Sequence, residues 1–183
     1  MGIKSGACVA VGVMPKTETT HLLITHAVSQ LKAASTALAE RKKEMLRLAE
    51  LLPEFPVVQK MYGTGPTLGP QLMAEIGDVR RFHSKKALVA FAGIDAPPHD
   101  SGQIAVNHKA MSKIGSSALR RTLFLIMGVY LQKAPVDEPV YQFMDRKRAE
   151  GKPYRVYMMA SANKFLRIYY ATVKAYLDTL EAS

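Results

Sequence analysis

Cysteine is almost missing from this sequence. Cys8 stands alone among 183 residues, so no disulfide can form within the chain, and a reducing, cytoplasmic setting is the natural one. No apolar run approaches the length needed to cross a bilayer, so no membrane partner is expected. The stretch Gly6-Ala7-Cys8-Val9-Ala10-Val11-Gly12-Val13 after Lys4 faintly resembles a short secretory signal, but it is glycine-rich and lacks leucine. Residues 1–19 are therefore read as a leader without assigned role, expected to lack order. The histidines are His21, His26, His83, His99 and His108, and no two have the His-x-x-x-His spacing of a helical metal site. His99-Asp100 could touch one ion, but no third ligand is evident. No carboxylate cluster suits a pair of magnesium ions. Acidic residues number only 15 against 25 Lys and Arg.

What the chain has in excess is positive charge. A net charge of +10 and a pI of about 9.7 favour a polyanionic partner, because neutralising phosphates releases counterions. Most of that excess falls after residue 56. A hydrophobic content of 48% is enough for one ordinary core with an appendage.

Periodicity predicts helices throughout. From Thr19 or Thr20 onward Ile24, Val28, Leu31, Leu38, Met45, Ala49 and Leu52 recur at three- and four-residue steps, interrupted by Ser35 and Lys42 and ended by Pro53. This predicts a coiled-coil-like helix over residues 20–53. It either joins a second copy or another chain, or folds back on its own domain; the polar residues in the seam suit specific rather than tight pairing.

After Glu54-Phe55-Pro56, two short helical segments flank Gly63-Thr64-Gly65-Pro66, and Gly77 closes the second. This resembles a helix-hairpin-helix, in which glycines Gly63 and Gly65 would bring backbone N–H groups close to a phosphate. Gly69 and Pro70 sit early in the second helix, where they would distort it. Ser84 is a predicted N-cap for a helix to about Ala92, stopped by Gly93. A polar loop covers about residues 94–110, with at most one small hairpin. The helix beginning at Ser112 or Ser116 is expected to be the central core helix, since its apolar residues cover more than one stripe. Two more helices follow, over about residues 139–149 and from Pro153 to about Leu180. The fold class is all-α, with residues 54–183 forming a compact helical domain.

The loop contains Ala96-Pro97-Pro98-His99-Asp100-Ser101-Gly102-Gln103. Read from its residues alone, Ser101-Gly102 is either a simple turn or a serine that a glycine opens to a bulky phosphate. Basic residues bracket it: Arg80, Arg81, Lys85 and Lys86 before, Lys109, Lys113, Arg120 and Arg121 after, so phosphates could be held on both sides. A third group, Arg146, Lys147, Arg148, Lys152 and Arg155, reads as a solvated face.

The run Met61-Tyr62-Gly63-Thr64-Gly65-Pro66, then Ala74-Glu75-Ile76-Gly77-Asp78-Val79-Arg80-Arg81-Phe82, Ser84-Lys85-Lys86-Ala87-Leu88-Val89-Ala90-Phe91-Ala92-Gly93-Ile94, Ser101-Gly102, Met111-Ser112-Lys113-Ile114-Gly115, Ala118-Leu119-Arg120-Arg121 and Gly151-Lys152-Pro153 resembles the C-terminal domain of a bacterial insertion-sequence transposase family. Its members join a RuvC-like domain bearing an acidic DEDD tetrad to this domain through a coiled coil, and some are bridge-RNA-guided recombinases. The resemblance implies DNA transposition and recombination, with DNA and a structured guide RNA as partners. It implies that Ser101 is the nucleophile that attacks a DNA phosphodiester, with His99 or Asp100 assisting or, better, metal bound by the tetrad. Magnesium is thus implied for the RuvC-like domain and no cofactor for this chain. Two departures stand out. Residues 1–19 cannot hold the acidic domain, and residues 103–111 carry only Lys109 where the family is rich in arginine and glycine. A non-catalytic nucleic-acid-binding remnant that associates with intact transposase is the alternative.

Overall fold

The structure is a computed structural model that describes residues 17–95 and 114–182. Among them every regular element is helical, as the periodicity predicts. The elements are α1 (Glu18–Ala49), α2 (Phe55–Gln59), α3 (Gly65–Ile76), a 3-10 turn (Val79–Arg81), α4 (Lys85–Ala92), α5 (Ser117–Lys133), α6 (Pro139–Ala149) and α7 (Tyr154–Glu181). The chain divides into two compact units, residues 1–44 and 45–183.

The described part of the first unit is helix alone. It starts at Glu18 because the Thr17 hydroxyl accepts the Thr20 N–H at 3.2 Å, an N-cap one to two residues earlier than the apolar pattern suggests. Its seam residues Ile24, Val28, Leu31 and Leu38 are exposed, Leu31 by 68%. The helix ends at Ala49, short of the expected 53. The following turn tightens to i→i+3 bonds, Leu51 N–H to Leu48 and Leu52 N–H to Ala49, as the chain approaches Pro53.

The second unit holds one core, drawn from residues between Val58 and Leu177. α7 is its central helix. It packs against α2, the 3-10 turn, α4, α5 and α6, and buries Met158, Ala162, Phe165, Leu166, Tyr169, Tyr170, Val173 and Leu177. The expectation that the helix after Ser116 would be central is corrected here. α5 buries a single stripe at three- and four-residue steps, Leu119, Thr122, Leu123, Ile126, Met127 and Tyr130, and leaves Leu125 45% exposed. One side of α5 faces α3 and the α7 layer; the other faces water. α6 spans 139–149 as expected, with Val140 and Met144 its buried residues. Tyr170 crosses the core to donate to the Phe82 carbonyl at 2.9 Å, satisfying that buried group.

The early glycine and proline of α3 do not break it. Gly69 and Pro70 are both buried. A Cβ on Gly69 would lie 2.7 Å from Gln59 Nε2, and that amide donates to the Gly65 carbonyl at 3.1 Å. The missing side chain makes room for a bond that ties α2 to the start of α3.

Candidate nucleic-acid interface

The turn between α2 and α3 is fixed from inside. Thr64 is buried, and its hydroxyl lies 2.9 Å from the Val58 carbonyl and 2.7 Å from that of Met61, so the one proton it can donate is shared between them. Gly63 adopts φ +81, and a Cβ there would lie 3.2 Å from both Ile126 Cγ2 and Tyr130 Cε2. Glycine is thus required by the packing of the turn on α5, a different reason from the phosphate approach expected of it. Gly65, at φ +52, has no such neighbour within 4 Å. Of the two glycines it is the one beside open space.

The 3-10 turn separates Arg80 from Arg81. Asp78 caps the turn by accepting the Arg80 N–H at 2.8 Å. The same carboxylate takes the Arg80 guanidinium in a fork, Nε to Oδ1 at 3.0 Å and Nη2 to Oδ2 at 3.0 Å. Arg80 also pairs with Glu181 at the end of α7. The hydrogen bonds from Arg80 hold the Asp78 carboxyl below its ordinary value, and Asp78 in turn raises the Arg80 guanidinium. Arg81 has no ion pair among the described residues. Its guanidinium lies over the rings of Phe82 and Phe91, 4.6 and 4.7 Å from their centroids. Two cation–π contacts hold an exposed cation in place while its N–H donors stay free for an anion.

The described stretches on either side of residues 96–113 lie against each other. Gly93 ends α4 in the left-handed conformation, and a Cβ on it would lie 2.8 Å from the Ile114 carbonyl oxygen. Gly115 has φ +143, and its added Cβ would come within 2.3 Å of the Phe91 carbonyl oxygen. Ser116 N–H donates to that oxygen at 2.8 Å, and the Ser116 hydroxyl caps α5 by accepting the Leu119 N–H at 3.0 Å. Arg120 Nη1 donates to the Ala92 carbonyl at 3.0 Å. Arg81 rests on Phe91 and Arg120 on Ala92, so both flank the same end of α4.

Ser101, Lys109 and Lys113 lie outside the described residues, as do His99 and Asp100. Arg121 is exposed on α5. Sequence reasoning missed the aromatic seats of Arg81; the signal was Arg81-Phe82 with Phe91 within one helix of it. It also missed a convergence on the third basic group. Arg146, Lys147 and Lys164 surround the Phe143 ring at 5.4, 5.8 and 5.1 Å, and Lys164 comes from a different helix. Lys147 is paired with Glu150, whose carboxyl that bond lowers.

A model of the Transposase IS116/IS110/IS902 family matches residues 56–142, from α2 to the start of α6, and so takes in the turn, the paired arginines and the junction of α4 with Ile114–Ser116. The chain carries a transposase domain of this family. An uncharacterized 42 kDa protein of insertion element IS900 from Mycobacterium paratuberculosis is 30% identical over 139 residues, 75% of this chain and 32% of that protein. The pilin gene-inverting protein of Moraxella lacunata is 26% identical over 145 residues, 76% of this chain and 44% of the relative. An uncharacterized 44.8 kDa protein of insertion element IS116 from Streptomyces clavuligerus is 22% identical over 162 residues, 88% of this chain and 40% of its own length. The chain therefore spans less than half the length of these relatives. No described helix of the transposase domain is long and apolar enough to cross a membrane.

Proposed function

We propose that this chain is the DNA-binding, serine-bearing part of an insertion-sequence transposase, acting in DNA transposition and recombination. The observation that carries the reading is the end of α4, where two held cations and both ends of the Ser101 segment meet inside a family-matched domain. Arg81, Arg120, Arg121, Lys109 and Lys113 hold backbone phosphates. Gly63 shapes the turn and Gly65 lets a strand approach it. Arg80 fixes the 3-10 turn that aims Arg81.

In this reading Ser101 Oγ forms a bond to phosphorus and one bridging P–O bond of the DNA backbone breaks. The serine proton passes to a base, His99 or Asp100, and the departing deoxyribose oxygen takes a proton. One phosphodiester replaces another, so the step is reversible and rejoining uses the same path. Among the described residues no group of three or more His, Cys, Asp or Glu is placed to hold an ion; in this reading magnesium would be held by the family's acidic domain. Pairing of α1 with a second copy or with intact transposase, and a structured guide RNA as a further polyanion, belong to the same proposal.

The test is gel separation of covalent protein–DNA adducts after mixing the chain with labelled donor-end DNA, with and without a separately supplied RuvC-like half. An adduct that Ser101→Ala abolishes supports strand transfer. Salt-sensitive binding that persists in Ser101→Ala, with no adduct in either mixture, supports the non-catalytic binding role instead. Binding indifferent to salt overturns both.

A further inference from the structure

On the second unit, away from the end of α4, a pocket of about 170 Å³ opens between the α2–α3 turn, α5, the start of α6 and α7. Its volume is that of five or six waters at about 30 Å³ each, below the roughly 300 Å³ at which pockets begin to take drug-sized ligands. That volume suits one planar heterocycle, with any sugar or phosphate attached to it left outside.

Its walls are aromatic and aliphatic. Tyr62 and Tyr130 have ring centroids 5.0 Å apart, Tyr130 and Phe165 6.4 Å, and Ile168 lines the side contributed by α7. Tyr130, Glu138 and Lys60 are among the polar residues that line it, with Tyr62 and Thr172. Tyr130 is only 2% exposed, and no described residue hydrogen-bonds its hydroxyl. That oxygen is not sealed in the core, where it would be an unsatisfied buried atom, so it opens to the pocket. Burial first, then the nearby Glu138 charge, raises the phenol well above its usual value, which keeps it a donor. Glu138 stands at the head of α6 with its side chain used neither for capping nor for an ion pair. Lys60 completes the set, likewise without an ion pair.

We propose that this pocket receives a single unpaired nucleobase, guanine ahead of the others, drawn from a strand held by the basic surface. An aliphatic side chain would leave the hydroxyl and the carboxylate unmatched, a buried polar group without a partner being costly. A guanine edge matches them. Its ring N–H and amino group suit one carboxylate, its carbonyl oxygen suits the phenol or the ammonium, and its faces suit the aromatic walls. Adenine would turn a ring acceptor toward Glu138. The proposal rests on the nucleic-acid reading for its source of bases; the pocket chemistry stands apart from it.

Methyl NMR of the isoleucine-labelled chain, titrated with guanosine or adenosine, separates the two. Nucleosides carry no phosphate and so report on the pocket alone. The Ile168 methyl is expected to shift saturably with guanosine and about tenfold more weakly with adenosine. Tyr130→Phe, which keeps the ring that Gly63 packs against, is expected to weaken guanosine by about three- to tenfold, and Glu138→Gln to remove the preference. No Ile168 shift, or shifts equal for both nucleosides and unchanged in both variants, would overturn the pocket even if DNA binds in a parallel anisotropy titration. A guanosine shift with no DNA binding would uphold the pocket and overturn the DNA reading.

Discussion

Arg80 and Arg81 are chain neighbours in opposite situations. The first is spent on Asp78 and Glu181; the second is held by two rings with its donors free. Arg81→Ala should therefore weaken DNA binding and lower the slope of log affinity against log salt by about one unit, while Arg80→Ala should change that slope far less. Anisotropy titrations over a salt series check both. The Asp78 carboxyl lies below its ordinary value in the fold, so its contribution is complete above the unfolded value of about 3.9 and is lost as pH falls through the lower folded one. Thermal melts should show stability declining below about pH 4, less so in Asp78→Asn. Gly115→Ala should cost about 3 kcal/mol or more, read by denaturant unfolding, because the new carbon meets the Phe91 carbonyl and the backbone is strained besides. None of these three situations is legible in the sequence, where Arg80 and Arg81 are two equal cations and Gly115 is one glycine of twelve.

At the scale of elements the sequence is far more informative, for a physical reason. Helix starts are decided by one local bond, and Ser84 and Ser116 make it, accepting Ala87 N–H at 3.2 Å and Leu119 N–H at 3.0 Å. Each serine changed to alanine should lose about 1 kcal/mol of unfolding free energy. Ser116→Ala should lose the more, since that hydroxyl also lies 3.5 Å from Glu75 Oε2 and its residue joins α5 to the end of α4. Stops are equally local, as Gly93 and Gly151 demonstrate with their positive φ. Which helix lies at the centre is not local. The apolar content of α5 suggests it should, yet α7 touches more of the fold, because centrality depends on which faces meet and not on how apolar one helix is. Gly63 was legible as a turn residue, but its dependence on Ile126 and Tyr130 joins parts of the chain too far apart for any motif to reveal.

For the molecule as a whole, the core among the described residues draws on Val58 to Leu177, all of them in the second unit. A chain of residues 45–183 should accordingly fold and unfold cooperatively, with a melting temperature within a few degrees of the full chain's, as calorimetry would show. The basic surface spans several helices, and charge totals forecast it without locating it: Lys164 reaches Phe143 from α7 although it is distant in sequence from Arg146 and Lys147. The meeting of Gly93 with Ile114 has a broader consequence. Because the two stems already touch, the stretch between them is expected to be exchangeable as a cassette. Replacing it wholesale, or doubling its length, would add only about 0.6 kcal/mol of closure entropy, so chemistry could be exchanged there while the scaffold that presents it is left as it is.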